Sequence, residues 1–136
     1  LEALKITNGQ YYGMKMLNTN AKLDGVEFTS DAATNSANGF YSEGYDGHIK
    51  LFGSYFHGNI AYQVTAGYGS QMQVIDTVSD YSEYTGGLYD HKYAFSALRG
   101  GIMNWDWNDV SGSNNTAIRS TGALVGARPP ETRPSL

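Results

Sequence analysis

Short runs in which apolar and polar residues alternate dominate the chain and predict β-strands. The clearest run covers residues 60–66, and it predicts that Ile60 and Val64 share a strand and are both buried. No long window shows the 3.6-residue apolar period of an amphipathic helix. The other segments with strand-like patterns are residues 48–56, 72–78, 93–98 and 123–125.

Turn-forming residues separate these runs. Asn8-Gly9 lies between two short alternating segments, which predicts a β-hairpin near the start of the chain. Residues 30–47 are poor in apolar side chains and rich in Asn, Ser, Ala and Gly, so they predict a long surface loop. Residues 80–91 predict a second long connection, this one rich in tyrosine.

One weak similarity links two parts of the chain. Tyr45-Asp46 and Tyr89-Asp90 each precede a predicted strand at a similar spacing. Because the similarity ends there, no internal repeat is predicted.

Composition narrows the possible classes of protein. The length of 136 residues predicts one domain, residues 1–128, followed by a proline-containing tail, residues 129–136. The chain has no cysteine, which excludes disulfides and cysteine nucleophiles. A net charge of −4 without a basic run makes nucleic acid an unfavourable partner. No apolar segment is long enough to be inserted into a membrane.

Two short motifs resemble a known family. Residues 97–101 read Ala-Leu-Arg-Gly-Gly, and residues 126–129 read Gly-Ala-Arg-Pro. They resemble the C-terminal strands of C-type-lectin-fold proteins of the formylglycine-generating-enzyme type, which include variable receptor-binding proteins of phages and retroelements. Ile102-Met103 and Ala127 depart from the usual Ser-Trp and Phe. The resemblance implies a mainly β (α+β), loop-rich, C-type-lectin-like domain, and the alternative expectation is a β-sandwich or jelly roll.

The predicted contact surface lies between the last two predicted strands. Two indoles two residues apart on an extended chain point to the same side, and neighbouring Asp and Asn side chains suit sugars or protein epitopes. Trp105 is the better candidate for a buried ring and Trp107 for an exposed anchor. The tyrosines of residues 80–91 either form a second contact surface or cap the core. The predicted ligand-binding residues are Asn104, Trp105, Asp106, Trp107, Asn108, Asp109, Asn114, Asn115, Tyr81, Tyr84 and Tyr89.

Metal binding and catalysis have weaker support. Residues 107–109 read Trp-Asn-Asp, a triplet with which sugar-binding C-type lectins coordinate calcium, but the companion triplet of those lectins is missing. We therefore expect no metal or other cofactor, with calcium as the alternative. The three histidines lack metal-ligand spacing, and no nucleophile elbow or phosphate-binding loop is present. Arg99 is expected to have a structural partner, through an ion pair or hydrogen bonds with the backbone, and not to contact a ligand.

These patterns together predict a non-enzymatic recognition domain. Its partner would be a host-surface glycan or protein, and its place would be a virion surface or another extracellular assembly, as in a phage tail fibre or an adhesin. The alternative is a structural subunit of a virion, fibre or filament. In either case we expect a homo-oligomer or a part of a larger assembly, without nucleic acid or membrane insertion.

Overall fold

The computed structural model describes residues 2, 4–9, 11–31, 38–85, 92–106, 108–111, 116–120 and 123–126; of residues 109, 116–120 and 123–126 it describes the backbone. These residues form β-strands and include no helix, and so none that could cross a membrane. The strands are β1 Lys5–Thr7, β2 Tyr12–Leu17, β3 Asn20–Asp24, β4 Glu27–Ser30, β5 Asn38–Glu43, β6 His48–Phe52, β7 Tyr55–Gly58, β8 Tyr62–Gly67, β9 Gln71–Ile75, β10 Val78–Asp80, β11 Lys92–Leu98, β12 Ile102–Asp106, β13 Asp109–Ser111, β14 Thr116–Ser120 and β15 Ala123–Gly126.

The strands form three parallel sheets of five strands each. We call them sheet 1 (β2, β5, β8, β11, β14), sheet 2 (β3, β6, β9, β12, β15) and sheet 3 (β1, β4, β7, β10, β13). Successive strands along the chain belong to successive sheets, and each strand pairs with its equivalent one coil later. The chain is therefore a β-solenoid, in which every coil contributes one strand to each of three sides.

The core is a set of ladders that run along the solenoid axis. Phe28 and Phe56 occupy paired positions in sheet 3, and their rings stack with centroids 4.5 Å apart. Sheet 1 contributes Phe40, Val64 and Phe95, all fully buried and in register with one another. Burying such a side chain contributes about 1.5–3 kcal/mol, so these ladders hold successive coils together.

Tight corners connect the sheets, and they explain the Arg-Gly-Gly motif. Arg99 and Gly100 turn the chain from sheet 1 to sheet 2 with φ of 50° and 82°. Gly101 then passes so close to the preceding coil that a Cβ atom would lie 2.2 Å from the carbonyl oxygen of Ala66. The motif is thus required by a corner of the solenoid, where a left-handed turn precedes a close backbone contact.

A buried polar ladder supports the corner between sheets 2 and 3. Asn108 accepts a hydrogen bond from the Thr77 backbone N–H at 2.9 Å and donates one to the Val74 carbonyl at 3.0 Å. Two coils earlier, Ser54 occupies the equivalent position and donates to the Phe52 carbonyl at 3.1 Å. These side chains satisfy backbone groups that the corner leaves without strand partners.

The predicted fold class is wrong. The described residues form neither the α+β arrangement of a C-type lectin nor the stacked antiparallel sheets of a β-sandwich or jelly roll, because all strand pairs between them are parallel. Alternation of apolar and polar residues is common to all these folds, since it reports which face of a strand is buried and not which strand lies beside it.

Several predicted elements are corrected for the same reason. Asn8-Gly9 does not form a hairpin, because β1 pairs in parallel with β4. Residues 48–56 and 72–78 are each two strands on different sheets, separated by a corner. The predicted surface loop over residues 30–47 contains β5, whose Phe40 is fully buried. The burial of Ile60 and Val64 is confirmed, although Ile60 precedes β8.

The solenoid is also an internal structural repeat that the sequence did not reveal. Paired residues of sheet 2 are 28, 23 and 31 positions apart in successive coils, as Asn20, His48, Gln71 and Ile102 show. Because the connections differ in length, similarity at any one spacing is weak.

Candidate functional site: the outer face of sheet 2 and the tyrosine ridge

The outer face of sheet 1 is covered by aromatic rings that pack on one another. Tyr12 and Tyr41 have ring centroids 5.2 Å apart, and Tyr62 and Tyr93 have theirs 5.6 Å apart. Lys15 lies over the first pair, and burial raises the pKa of Tyr41. Since these rings are engaged with one another, this face supplies stability more than free contact surface.

The outer face of sheet 3 carries an ion-paired cluster around one histidine. His57 Nε2 lies 2.7 Å from Glu27 Oε1, and His57 Nδ1 lies 3.3 Å from Glu83 Oε1. The hydrogen bond from His57, together with Lys5 at 3.1 Å, holds the pKa of Glu27 below its ordinary value. The cluster brings together groups from β1, β4, β7 and the connection after β10, which belong to four successive coils, and each named charge already has a partner.

A second polar pair lies on the same face. The Tyr55 hydroxyl donates a hydrogen bond to Asp80 Oδ2 at 3.2 Å, and burial with the Asp80 charge raises the pKa of Tyr55. Burial acts to raise the pKa of Asp80 too, but hydrogen bonds from Ser82 and Tyr55 outweigh it and hold that pKa below its ordinary value. This face is therefore internally satisfied as well.

The lowered pKa of Glu27 predicts a pH-dependent contribution to stability. A carboxyl whose folded-state pKa is depressed stabilises the fold above its unfolded value, and this stabilisation is lost as the pH falls through the folded-state value. When the pH is lowered from neutral to below 4.5, the ordinary pKa of a glutamate side chain, we expect the melting temperature of Glu27→Gln to fall less than that of the wild type. Thermal melts over this range check the effect, with Glu2→Gln, at an exposed position, as the control. Parallel pH profiles for the wild type and Glu27→Gln would contradict it.

The outer face of sheet 2 differs from the other two because its polar side chains are exposed. Residues at alternate positions of β3, β6, β9 and β12 point outward and form three rows across the coils, of which the third, Asp24, Phe52, Ile75 and Asp106, is half-buried. A shallow hollow of about 260 Å³ opens over β6, β9 and β12. The exposed polar residues of the first two rows, which we call the sheet 2 face, are Asn20, His48 and Gln71 in one row and Lys22, Lys50, Gln73 and Asn104 in the other.

Exposed rings stand at the corner beside this face. We call Tyr45, Tyr68 and Arg99 the tyrosine ridge; Tyr45 is 80% exposed and Tyr68 is 42% exposed. The Tyr45 ring lies against Gly69, where a Cβ atom would meet the ring at 2.4 Å. Arg99 lies over the Tyr68 ring, 5.0 Å from its centroid, and donates a hydrogen bond to its hydroxyl. The structural partner expected for Arg99 is thus an aromatic ring of the preceding coil.

Two residues of the ridge adopt a backbone conformation that residues other than glycine usually avoid. Tyr68 has φ of 47° and Arg99 has φ of 50°. A bulky side chain in the left-handed region costs free energy, and such positions are concentrated at functional sites. An open pocket of about 460 Å³ adjoins the two tyrosines and is also lined by Leu17, Asn18, Glu43 and Asp46.

The ridge and the sheet 2 face are continuous. Asp46 belongs to the ridge pocket, His48 belongs to the hollow, and His48 Nδ1 lies 3.3 Å from the Asp46 carbonyl oxygen. Together they present exposed rings beside amide, imidazole and ammonium groups. Such a surface can stack against flat apolar faces and form hydrogen bonds with hydroxyls.

The structure separates the residues predicted for the loop of residues 104–115. Asn104 is exposed on the sheet 2 face, whereas Trp105 points inward and packs on the core, 6.1 Å from Phe95 between ring centroids. Asp106 is half-buried at the end of β12. Asn108 is 2% exposed and uses its amide for the corner ladder, so it presents no group to a ligand.

The expected contact loop is therefore corrected: residues 102–106 and 109–111 are strands of the solenoid wall. Trp107, Asn114 and Asn115 lie outside the described residues, and Asp109 is described by its backbone alone. Whether Trp107 anchors a ligand stays a prediction.

The tyrosine-rich connection is part of the core where it is described. Tyr81 is 1% exposed, and its hydroxyl donates to the Ala61 carbonyl at 2.9 Å. Tyr84 packs edge-on against it, and Lys92 lies 5.5 Å and 5.3 Å from the two ring centroids. Burial lowers the pKa of Lys92. For Tyr81 and Tyr84 the core-capping alternative agrees with the structure, and Tyr89 lies outside the described residues.

Sequence reasoning missed most of the sheet 2 face and the whole tyrosine ridge. The signal was present as outward polar positions of predicted strands, but each strand alone offers two or three such positions. Their alignment into rows depends on the coil spacing, which varies. The residues missed are Asn20, Lys22, His48, Lys50, Gln71 and Gln73 of the sheet 2 face and Tyr45, Tyr68 and Arg99 of the ridge.

Neither a metal-binding cluster nor a similar known protein indicates what this surface binds. Among the described residues there is no group of three or more His, Cys, Asp or Glu side chains that could hold a metal ion. Comparison of the chain with protein families, with characterised proteins and with solved structures found no match.

Proposed function

We propose that this protein is a non-enzymatic recognition domain that binds a glycan along the sheet 2 face, with the tyrosine ridge as its anchor. The observation that carries the proposal is the exposure of Tyr45 and Tyr68 beside the exposed amide side chains of the sheet 2 face. On the other two faces, most of the described polar and aromatic side chains are bound to one another. The side chains of the sheet 2 face and of the tyrosine ridge lie on strands or close to strand ends, which are rigid supports for binding residues.

The chemistry of the surface suits sugars in particular. Tyrosine rings offer large apolar contact area at low entropic cost, and the C–H faces of pyranose rings stack on them. Gln71, Gln73 and Asn104 each both donate and accept hydrogen bonds, as sugar hydroxyls do. Ligands that combine apolar faces with many hydroxyls therefore match this surface better than purely apolar ones.

The carboxylates near the ridge favour binding over hydrolysis. Glycoside hydrolysis generally uses two carboxyl groups placed across the scissile bond. Of the two carboxylates that line the ridge pocket, Glu43 is ion-paired with Lys15 at 3.3 Å. Of these two carboxylates, Asp46 alone forms no ion pair with another described residue.

The proposal rests on this surface and not on the resemblance to C-type lectins, whose fold the chain does not have. Display on a virion or another extracellular assembly, with a host-surface ligand, agrees with glycan recognition and stays a prediction.

Replacing Tyr45 by alanine tests the proposal. We expect binding to a glycan identified on an array to weaken about tenfold or more, which corresponds to about 1.4 kcal/mol, with an unchanged melting temperature. The matched control is Tyr11→Ala, because Tyr11 is 64% exposed at the corner that precedes β2, away from sheet 2. Titration calorimetry or interferometry measures the difference. Equal affinities of the Tyr45 and Tyr11 variants, or an array without any bound glycan, would overturn the proposal.

A structural role is the second candidate, and one observation favours it. Leu4 is 41% and Leu17 is 52% exposed, and Met14 and Met16 are half-buried. In a filament subunit these apolar side chains would contact another copy, and sedimentation velocity would show concentration-dependent, open-ended association. A monomer or a closed oligomer favours recognition instead.

A further inference from the structure

We propose that the glycan bound by the sheet 2 face is anionic: a polysaccharide whose carboxylate or sulfate groups lie over Lys22 and Lys50. This inference rests on the proposed function and goes beyond it by naming the charge of the ligand. It is carried by the arrangement of charges on the outer face of sheet 2.

Two lysines lie opposite each other on adjacent strands of this face. Lys22 of β3 pairs in register with Lys50 of β6, and both side chains are exposed. Like charges at directly opposed positions destabilise a sheet. A ligand with negative groups at this position would remove the repulsion, so its binding free energy would include that gain.

The two lysines differ in their surroundings. Lys22 Nζ lies 3.2 Å from Asp24 Oδ2 and 5.4 Å from the centroid of the Phe52 ring. Lys50 forms no ion pair with any residue in the part of the chain that the structure describes. Its ammonium group is therefore the cation that a ligand can engage without first breaking an ion pair.

The middle of the face carries no negative charge. The outward residues of β6 are His48, Lys50 and Phe52, and those of β9 are Gln71, Gln73 and Ile75. The nearest carboxylates are at its margins, where Asp24 pairs with Lys22, Asp106 lies half-buried in register with Ile75, and Asp46 lies at the ridge. The chain as a whole has a net charge of −4, whereas this patch carries positive charge and many hydrogen-bond donors.

The small number of cations favours a glycan over nucleic acid. Proteins that bind nucleic acid neutralise many phosphates and show strong salt dependence in consequence. Here two lysines and a histidine accompany four amide side chains, which suits a chain with widely spaced acidic groups and many hydroxyls.

The test compares polymers that share a backbone and differ in charge. The probes are polygalacturonate with its methyl-esterified form, and dextran sulfate with dextran. We expect the purified chain to prefer the charged member of at least one pair, with an affinity that falls as salt is raised. Lys50→Gln should weaken binding to that member about threefold to fivefold, the range for an exposed ion pair. It should leave the melting temperature unchanged or raised, since it relieves the repulsion from Lys22.

The matched control is Lys5→Gln, on the outer face of sheet 3, which should leave all affinities unchanged. Binding of neutral glycans alone, or equal binding of both members of each pair, would overturn the anionic ligand while leaving glycan recognition in place. Equal losses for the Lys50 and Lys5 variants would also overturn it, because they would indicate a non-specific charge effect. Absence of binding to any charged or neutral glycan would overturn both proposals.

Discussion

Replacing Phe56 by alanine is expected to lower the free energy of unfolding by about 3–5 kcal/mol, the range for truncation of a buried phenylalanine. Phe56 is fully buried, and its ring lies parallel to that of Phe28 with an interplanar angle of 2°. The change removes this stack and leaves a cavity between adjacent coils, where no side chain from another layer can fill the space. Urea denaturation followed by circular dichroism measures the change.

A control within the same part of the chain isolates the contribution of burial. Phe52→Ala removes the same side chain from an outward, half-buried position on sheet 2, where its contacts include the Lys22 ammonium group. We expect a clearly smaller loss of stability there. Similar losses for the two variants would mean that the inward and outward faces of the solenoid are assigned incorrectly.

Replacing Asn108 by alanine is expected to cost about 2–4 kcal/mol of stability, because it leaves two buried backbone groups without partners. The Thr77 N–H loses its acceptor and the Val74 carbonyl loses its donor, both inside the corner between sheets 2 and 3. Water cannot readily replace the amide, since Asn108 is 2% exposed. Chemical denaturation again gives the magnitude.

Asn104→Ala is the matched control, because it removes an identical side chain four residues earlier from an exposed position. Its effect on stability should stay within about 0.5 kcal/mol, as for most surface substitutions. Its effect on glycan affinity should exceed its effect on stability. A stable Asn108→Ala variant would show that the corner does not depend on the amide ladder.

The sequence predicted the location of many strands and the interior position of several residues. Val64 and Trp105 point inward as expected, and residues 93–98 form most of β11. For the candidate site, the sequence identified Asn104 among the exposed residues but also proposed Asn108 and Tyr81, which are buried. Polarity and aromatic character do not distinguish an exposed ligand-binding group from one that satisfies the interior of a corner.

The Arg-Gly-Gly motif shows how a correct local observation led to the wrong fold. Residues 97–101 resemble a strand of C-type-lectin-fold proteins, and β11 does end there, but residues 99–101 form a turn. The constraint comes from a solenoid corner, where Gly101 approaches the Ala66 carbonyl of the preceding coil. Short motifs of this kind report backbone geometry, and the same geometry occurs in unrelated folds.

The sequence by itself determined the extended conformation of the chain, the inward face of most strands and the places where the chain turns. These properties depend on neighbours within a few residues: alternating polarity selects the buried face, and Gly or Asn permits positive φ. The tertiary structure decided that strands pair in parallel with their equivalents one coil later. It thereby aligned Lys22 with Lys50 and Gln73 with Asn104 on one face. Those pairings join residues 28 and 31 positions apart, and a local alternation pattern contains no information about a partner at that distance.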